Sequence, residues 1–485
     1  MTAEGWLATN LGVLSIEISS ATRAVRLTAS DGEALSAVGL DDSLALIAAV
    51  EMAGRRVWAA NAAAQDRDHR QFLKELGNPR IHNASVVLQT LQPAKNKTDP
   101  PAGKALAAEL ENCRGSAPSA RHHATEIEVE DQMWRKRTRI GYRVDTAGLS
   151  EARQDLHRSI TLFAREHGVD IRKSDEKKSE WLSALGVRFT RSAEYGWSQP
   201  GACDISQMPE ANTEAWLAYR NAHRVLKRAQ ILDGLHRRVT NGRVHPRILT
   251  NFAASGRMSM RNPALQSLAA EHRYLILGEP LSDVIGVDHS AQELRVLARL
   301  IGDSSLISRI VTGDIYSELA AVTGQTRADE KWRVLAWLYG QHGDSLAKKV
   351  GEEQARATHA GIHALLPEVA EWRAEQTAKA TRNEPLMTLT GRPLPNLGPK
   401  RSQMGLAANY LVQGSARDAY GTCVRRAMDA GLECWIPMHD ELFVLSPAGK
   451  SQQVSEALVT AMTIDLGLGV TLTGAPKVFT GRWGK

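Results

Sequence analysis

The sequence predicts an α+β protein with more than one domain, and three features of the chain support this prediction. The chain has 485 residues, more than a single hydrophobic core usually serves. Residues 1–128 alternate short strand-like runs with helical ones, which is typical of a small α/β domain. Downstream, a strand-like run at 284–287 leads into a helical pattern, and two more strands at 434–446 enclose a tight turn.

The composition is that of a globular protein from a reducing compartment. Charged residues make up 24% of the chain and hydrophobic residues 43%, and the net charge of +6 favours an anionic partner only weakly. The cysteines Cys113, Cys203, Cys423 and Cys434 form no CxxC pair, so neither a zinc site nor a disulfide framework is predicted. The sequence shows no signal-peptide pattern and no apolar run of membrane-spanning length. We therefore expect a cytoplasmic protein with no membrane partner.

The first half of the chain gives local structure but little chemistry. Strand-like runs occur at Val13–Ile18 and Ala24–Thr28. Helical spacing marks Leu149–Glu166 and Arg220–Leu235, and the second of these carries basic residues opposite its apolar stripe, as a surface amphipathic helix does. In the segment Asn251–Leu268 that follows, glycine and proline predict turns.

The segment DVIGVDHSAQELRVLAR, residues 283–299, carries the first chemical signal. Its apolar run predicts a buried strand that places Asp288 at its end, where a carboxylate can face a cleft. Apolar residues at helical spacing then predict a helix. Ser290 and Glu293 have the spacing of a capping box, so helix capping is one interpretation of Glu293 and a functional role is the other.

A second carboxylate, Asp440, follows His439 at the tip of the predicted hairpin in CWIPMHDELFVLS. A strand-end aspartate and a hairpin-tip aspartate together suit Mg²⁺, which takes oxygen ligands and keeps several waters. Two such ions roughly 3.5 to 4 Å apart can catalyse an in-line displacement at phosphorus.

These two segments resemble motifs A and C of the family A DNA polymerases, the bacterial DNA polymerase I family. The family patterns are close to DYSQIELR and VHDE, against DHSAQELR and MHDE in this chain. The resemblance implies a right-hand polymerase fold of palm, fingers and thumb. It also implies two Mg²⁺ ions, which Mn²⁺ can replace, held by Asp288, Asp440 and the carbonyl of His289.

The segment TRADEKWRVLAWLYG, residues 326–340, resembles motif B, RxxxKxxxFGxxYG. Arg327, Lys331, Leu335 and Tyr339 are spaced by four and so share one helix face; alone, this pattern indicates an ordinary basic amphipathic helix. The resemblance implies that Arg327 and Lys331 bind the nucleotide triphosphate, with Lys331 also catalytic. Tyr339 and Glu293 would exclude a ribose 2′-OH. Leu335 replaces the family's aromatic residue and cannot stack as a ring does.

Three further segments supply the expected DNA contacts. The stretch GRMSMRNPALQSL resembles TGRLSSxxPNLQNIP, which implies that Arg257 and Gln266 reach the minor groove, where every correct pair offers similar acceptors. The stretch AANYLVQGSARDAY keeps the family's amides as Asn409 and Gln413, which alone would be interpreted equally well as satisfied core amides. His439 completes this predicted DNA-binding set.

The order of elements in residues 1–128 resembles the 3′-5′ exonuclease domain of the same polymerases, with its first aspartate lost and its second displaced. The family's first Asp-x-Glu stands here as Ser15-Ile16-Glu17, and Gln65 stands where the next aspartate should fall. The third exonuclease segment corresponds to residues 122–126, HHATE. Because a two-metal nuclease needs these carboxylates, we expect no proofreading.

The sequence therefore predicts a monomeric, template-directed DNA polymerase that extends a primer with dNTPs on primer-template DNA. Its predicted parts are a degenerate exonuclease-like domain at 1–128, a thumb region at 129–250 and the palm and fingers at 251–485, with no 5′ nuclease domain. The short length suggests a phage or plasmid enzyme, working in the host cytoplasm if phage-encoded. A single-subunit RNA polymerase and a catalytically weak DNA-binding homologue are the alternatives, although the latter would be expected to lose Asp288 or Asp440.

Overall fold

The computed structural model of the chain describes residues 14–19, 24–29, 33–38, 43, 46–47, 50, 57–59, 81–83, 118–173, 176–186, 210–251, 253–339, 346, 352–395, 397 and 405–484. Its strands are β1 Leu14–Ser19, β2 Ala24–Ala29, β3 Ala34–Val38, β4 Val57–Ala59, β5 Ile81–Asn83, β6 Tyr142–Val144, β7 Arg243–Val244, β8 Arg247–Leu249, β9 Ser259–Arg261, β10 Ile276–Leu277, β11 Ser282–Asp288, β12 Glu433–Pro437, β13 Glu441–Pro447, β14 Ile464–Asp465, β15 Thr471–Leu472 and β16 Pro476–Phe479.

The helices alternate with these strands in a mixed order that agrees with the predicted α+β class. They are α1 Pro118–Ile140, α2 Thr146–His167, α3 Glu176–Ala184, α4 Glu210–His236, α5 Gln292–Ile301, α6 Ser304–Thr312, α7 Ile315–Thr323, α8 Arg327–Leu338, α9 Glu352–Leu365, α10 Pro367–Thr381, α11 Leu406–Asp429 and α12 Ser451–Met462. Two short 3₁₀ segments, Leu265–Ser267 and Ala270–Leu275, precede the central sheet.

An N-terminal sheet has the strand order β3-β2-β1-β4-β5, in which β1 pairs antiparallel with β2 and parallel with β4. The two predicted strands correspond to β1 and β2. Glu17 is exposed on β1, whereas Gln65 lies outside the described residues. The predicted third exonuclease segment falls on helix α1, which also runs without a break across the expected domain boundary at residue 128.

Helices α2 and α4 pack against each other around an apolar core that includes Ile160, Phe163 and Trp216. This pairing follows from the sequence, because each helix carries one continuous apolar stripe and can bury it only against another. Of the basic residues expected opposite the stripe of α4, Arg220 and Lys227 are exposed. The pair therefore presents positive charge to solvent.

The central sheet carries the candidate site. Its strand order is β12-β13-β11-β16, and every neighbouring pair is antiparallel. Strand β11 lies inside the sheet with Val284, Ile285 and Val287 fully buried, which explains its continuous apolar, β-branched sequence. Helices α11 and α12 pack against this sheet. The predicted hairpin is therefore β12 and β13, with Met438 to Asp440 as its turn.

A separate helical layer of α5 to α11 surrounds a second core that contains Leu294, Leu319 and Trp337. Pro367 separates two helices of this layer, because α9 ends at Leu365 and the proline begins α10. Among the described residues, no helix is long and apolar enough to span a membrane. Both described cysteines, Cys423 and Cys434, are buried free thiols.

Candidate active site

Two carboxylates from distant parts of the chain meet at one end of the central sheet. The register of β11 and β13 places Asp288 opposite Glu441, and the backbone N–H of His289 donates to the carbonyl oxygen of Asp440 at 3.0 Å. Asp440 is therefore fixed beside the end of β11 by the hairpin. The structure brings together the two aspartates that the sequence nominates as metal ligands.

The pKa of Asp288 is raised to about 6, first by burial and then by repulsion from Asp440 and Glu441. Lys477 opposes this rise. Burial and like charges both disfavour the ionised carboxylate, and a cation bound beside it would favour that form again. The Asp288 side chain nevertheless keeps 43% of its surface exposed, so a ligand from solvent can reach it.

Glu441 has two cationic neighbours that the sequence did not predict. The ammonium of Lys477, on β16, lies 2.9 Å from Glu441 Oε1 and 3.7 Å from Asp288 Oδ2. Arg273 approaches Glu441 Oε2 at 3.9 Å while its guanidinium lies 4.8 Å from the ring centre of Trp483. Finding Lys477 from the sequence would have required the pairing of β11 with β16, which is a long-range contact.

The side chain of His289 is structural. Its ring is buried, and Nε2 lies 2.7 Å from the carbonyl oxygen of Met462, which can only accept, so Nε2 carries the proton. Nδ1 then accepts from the Gln292 amide at 3.0 Å. Burial lowers the pKa of His289, consistent with a neutral ring. The ring thus locks the turn after β11 and leaves only its backbone as a candidate metal ligand.

Gly474 permits a close approach to the end of β11. A Cβ atom on residue 474 would collide with the carbonyl oxygen of Asp288, and the neighbouring carbonyl of Thr473 accepts from the N–H of Ser290. The residue at 474 must therefore lack a side chain for this segment to pack against the strand end.

The capping-box interpretation of Ser290 and Glu293 is wrong. The residue that caps α5 is Ala291, which has a left-handed backbone with φ of 50° and makes no side-chain capping bond. Such a backbone is unfavourable for a residue other than glycine and clusters at functional sites. Glu293 instead accepts a hydrogen bond from the guanidinium of Arg257.

This ion pair joins two residues that were expected to have separate roles. The side chains of Arg257 and Glu293 are 19% and 16% exposed, so both charges are largely withdrawn from water. Burial raises the pKa of Glu293, and Arg257 opposes the rise. Tyr316 lies close enough that Glu293, after burial, helps to raise its pKa to about 12.

Gln266 and His439 occupy different environments. The Gln266 carboxamide accepts from the N–H of Met260 at 3.1 Å and donates to the carbonyl of Pro437 at 2.9 Å, so it links β9 to the hairpin. His439 is exposed at the hairpin tip, although neighbouring groups keep part of its ring from water. This partial burial is the larger cause that lowers the pKa of His439, and the positive charge of Arg257 is the second. Its ring is therefore neutral and accessible at physiological pH.

Helix α8 carries the predicted nucleotide-binding face. Arg327 donates to Asp314 at 2.5 Å, and both side chains are well exposed. Lys331 is exposed one turn later, and Leu335 is half-buried. Tyr339 follows the last residue of the helix as its C-cap.

Two polar groups of the predicted site remain unsatisfied. The hydroxyl of Tyr339 and the carboxamide oxygen of Asn409 are buried and have no hydrogen-bond partner within the described part of the chain. Buried groups of this kind are rare in folded proteins and point to a bound ligand or water. Gln413, one turn after Asn409 on α11, is half-buried.

The loop that presents Arg257 is held by a buried arginine that the sequence did not nominate. Arg392 is 2% exposed, and it donates to Asp418 at 2.6 Å and to the carbonyl oxygen of Ser255 at 2.8 Å. Thr388 and Thr390 donate to the other oxygen of Asp418. Every oxygen of this buried carboxylate therefore has a partner, which a buried ion pair requires.

A second buried arginine holds the next carbonyl of the same loop. Arg417 donates to Glu130 at 2.6 Å and to the carbonyl oxygen of Gly256 at 3.0 Å. Glu130 comes from helix α1 and Arg417 from helix α11, so this bond also joins two helices that are distant in sequence. The two arginines fix the backbone immediately before Arg257 and thereby its side-chain direction.

The donor set at the sheet end fits a hard divalent cation. Within the described residues, no cluster of three or more side chains from His, Cys, Asp and Glu could hold a metal on its own. The site instead offers the carboxylates of Asp288 and Asp440 side by side, and their mutual repulsion disfavours the ionised form of Asp288. Mg²⁺ is commonly bound in this way, by one or two carboxylates completed by waters and substrate phosphates.

Comparisons with known proteins agree with this arrangement. The family model described as DNA polymerase family A matches residues 201–483, which is more than half of the chain. The DNA polymerase of Mycobacterium phage L5 is 28% identical, with 66% of this chain and 55% of the relative covered. The thermostable DNA polymerase I of Thermus aquaticus is 27% identical, with 65% and 42% covered.

The DNA polymerase of Mycobacterium phage D29 is 27% identical over 67% of this chain and 56% of its own length. The chain thus spans about half the length of these phage relatives. The solved POL domain of Pol1 from M. smegmatis, in complex with DNA primer-template and dNTP, aligns with a TM-score of 0.76 and 18% identity, covering 99% of this chain and 98% of that one. Its fold, which combines helices and sheets as this chain does, is the fold expected from the sequence. The chain belongs to DNA polymerase family A.

Proposed function

We propose that this protein is a template-directed DNA polymerase that extends a primer 3′-OH with dNTPs. The observation that carries the proposal is the meeting of Asp288 and Asp440 at the end of the central sheet, where burial and repulsion between carboxylates raise the pKa of Asp288. Family membership and the names of the relatives support it.

Asp288 and Asp440, with the backbone carbonyl of His289, would hold two Mg²⁺ ions, or Mn²⁺ in their place. Ions held there would activate the primer 3′-OH and stabilise the pyrophosphate that leaves. The protein's own contribution is to position the reactants and to place charge around the phosphoryl group. The half-exposed Asp288 faces solvent from which a nucleotide can enter.

Arg327 and Lys331 would bind the triphosphate. Both are exposed on α8, and Arg327 can bind phosphate oxygens bidentately while Lys331 acts as a point charge and as a proton donor to the leaving group. Tyr339 would contact the bound nucleotide near Leu335, because its buried hydroxyl has no hydrogen-bond partner among the described residues. Glu293 would fill the space at C2′ of the sugar and so exclude a ribose.

Arg257, Gln266, Asn409, Gln413 and His439 would contact the primer-template. The buried Asn409 oxygen has no hydrogen-bond partner among the described residues and would serve this purpose, and His439 is exposed beside Asp440. Gln266 already has two backbone partners, so it would act by holding the hairpin as well as by touching DNA. Exposed cations on α4 would neutralise duplex phosphates.

The same proposal assigns residues 1–128 to a degenerate exonuclease-like domain, 129–250 to the thumb region and 251–485 to palm and fingers. It places a monomeric enzyme in the cytoplasm, that of the host cell if a phage encodes it.

Primer extension with Mg²⁺, comparing dNTPs with rNTPs on one template, tests the proposal. We expect dNTP-dependent extension that Asp288→Asn or Asp440→Asn nearly abolishes while binding of the duplex is retained, because binding depends on phosphate contacts elsewhere. Normal turnover in either variant contradicts the assigned site. Equal extension with rNTPs would favour an RNA polymerase, and binding without extension an inactive homologue.

A further inference from the structure

Lys477 is the one cation that touches both Asp288 and Glu441 in the described residues, and neither its position nor its charge is used by the proposed reaction. The pairing of β11 with β16 sets Lys477 opposite Gly286. Gly286 and Asp288 are two residues apart on one strand, so their side-chain positions share a face of the sheet. Glu441, opposite Asp288, lies on that face too.

The lysine side chain therefore crosses the end of β11 to reach a carboxylate on the far strand. Its ammonium makes a hydrogen bond of 2.9 Å to Glu441 but stays 3.7 Å from Asp288. Glu441 thus holds the ammonium more closely, and the ion pair with Asp288 is the longer and more easily exchanged of the two. The Lys477 side chain is 48% exposed, so it can also swing aside.

We propose that Lys477 is the resident counter-ion of this carboxylate cluster, and that it weakens divalent-cation binding at Asp288 and Asp440 until substrates bring their own negative charge. This inference rests on the proposed function, since it assumes that these aspartates bind the metals. A positive charge close to a metal site opposes a dication directly. With the triphosphate and primer present, the added phosphate charges outweigh one lysine.

Lys477 thus has an electrostatic role, in which its charge lowers the affinity of the site for a divalent cation. Removing its charge should tighten binding of Mn²⁺ to the protein without DNA. A unit charge acting on a dication at about 6 Å in a water-like dielectric changes the affinity by about tenfold before salt screening, and by roughly threefold after it.

The experiment measures Mn²⁺ binding by electron paramagnetic resonance, without DNA or nucleotide, for the wild type, Lys477→Met and Lys379→Met. Lys379 is the matched control, because it is an exposed lysine paired with Glu375 at 2.7 Å on α10 and its loss changes the net charge equally. We expect Lys477→Met to bind Mn²⁺ about three- to tenfold more tightly, and Lys379→Met to bind as the wild type does.

A second readout separates this role from simple structural support. Thermal unfolding with and without Mn²⁺ should show a larger metal-induced rise in melting temperature for Lys477→Met than for the wild type. An equal loss of melting temperature in both conditions, with unchanged Mn²⁺ affinity, would overturn the inference. Weaker binding of primer-template by Lys477→Met with unchanged Mn²⁺ affinity would also overturn it, since Lys477 would then be a DNA contact.

Asp288→Asn distinguishes this inference from the proposal beneath it. If wild-type Mn²⁺ binding is insensitive to Asp288→Asn, the assigned metal site fails, and the proposed mechanism fails with it. If Mn²⁺ binding depends on Asp288 but is the same in Lys477→Met, only the role of Lys477 fails.

Discussion

Replacing Glu293 by Gln and by Ala should separate two roles that the structure gives to this side chain. Both substitutions break the ion pair with Arg257, but only alanine removes the volume that the proposed sugar gate requires. The two variants therefore share a loss of stability and differ in nucleotide selection.

The expected loss in the free energy of unfolding follows from the burial of the Arg257–Glu293 ion pair. Exposed ion pairs contribute about 0 to 1 kcal/mol, and removing one partner of a fully buried pair costs about 3 to 5 kcal/mol. Arg257 and Glu293 are 19% and 16% exposed and so lie between these limits. We expect each variant to lower the free energy of unfolding by about 1 to 3 kcal/mol, measured by urea denaturation.

The expected change in the preference for dNTP over rNTP follows from the space that Glu293 would fill at C2′ of the incoming sugar. A cavity of hydroxyl size changes discrimination by about 1 to 3 kcal/mol, or about 10- to 200-fold. Glu293→Ala should therefore lower the preference for dNTP over rNTP by this factor in single-nucleotide incorporation, whereas Glu293→Gln should stay near the wild type.

The control for a lost ion pair is Glu318→Ala, which breaks a more exposed pair with Arg309 on the neighbouring helices and should leave the sugar preference unchanged. If Glu293→Gln admits ribonucleotides as readily as Glu293→Ala, selection depends on the carboxylate charge and the steric gate is refuted.

Three further predictions concern other parts of the molecule. A labelled single strand incubated with Mg²⁺ or Mn²⁺ should stay full length, and shortening that disappears with Glu17→Ala would refute the loss of proofreading. Gly474→Ala should slow primer extension about 10- to 100-fold by displacing the end of β11. Gly234→Ala, at an open helical position, should leave the rate unchanged. If both variants extend at the same rate, the segment around residue 474 can shift to make room for a side chain. Hydrogen bonds from two arginines, of which Arg243 has the larger effect and Arg137 the smaller, lower the pKa of Glu279 to about 2. Glu279→Gln should therefore lower the free energy of unfolding at pH 7 by roughly 1 to 3 kcal/mol. Because the folded pKa is depressed, that difference should be complete above about pH 4.5 and vanish near pH 2 in urea titrations; a difference that persists at pH 2 would assign the loss to packing.

The sequence was sufficient where a local pattern reports burial. Strand β11 could be predicted because its run of buried residues is apolar and mostly β-branched, and helix α5 because apolar residues recur at its spacing. The hairpin of β12 and β13 followed in the same way from two apolar runs around a polar turn. The meeting of Asp288 and Asp440 was predictable because each lies at the end of such an element.

The sequence was insufficient where a partner comes from elsewhere in the chain. Ser290 and Glu293 have the spacing of a capping box, but the backbone of Ala291 turns left-handed and Arg257 takes the carboxylate. A local pattern cannot reveal a competing partner that is brought close only by tertiary packing. Lys477 was missed for the same reason, since its meaning depends on the register of β16 against β11.

Arg327, which is predicted to bind the nucleotide, and Arg257, which is predicted to contact the DNA, differ in how they are held. Arg327 is paired with Asp314, but the two side chains are 56% and 39% exposed, so water screens the pair and exchanging that carboxylate for a triphosphate costs little free energy. Arg257 is tied to the withdrawn Glu293, and its loop is clamped by the buried Arg392. If Arg327 binds the triphosphate as proposed, it can exchange partners when the nucleotide arrives, whereas Glu293 is held in place before then. The part of the proposed sugar gate that Glu293 forms would then act at the first encounter, whereas the part that Tyr339 forms would depend on the position of helix α8, because Tyr339 is its C-cap.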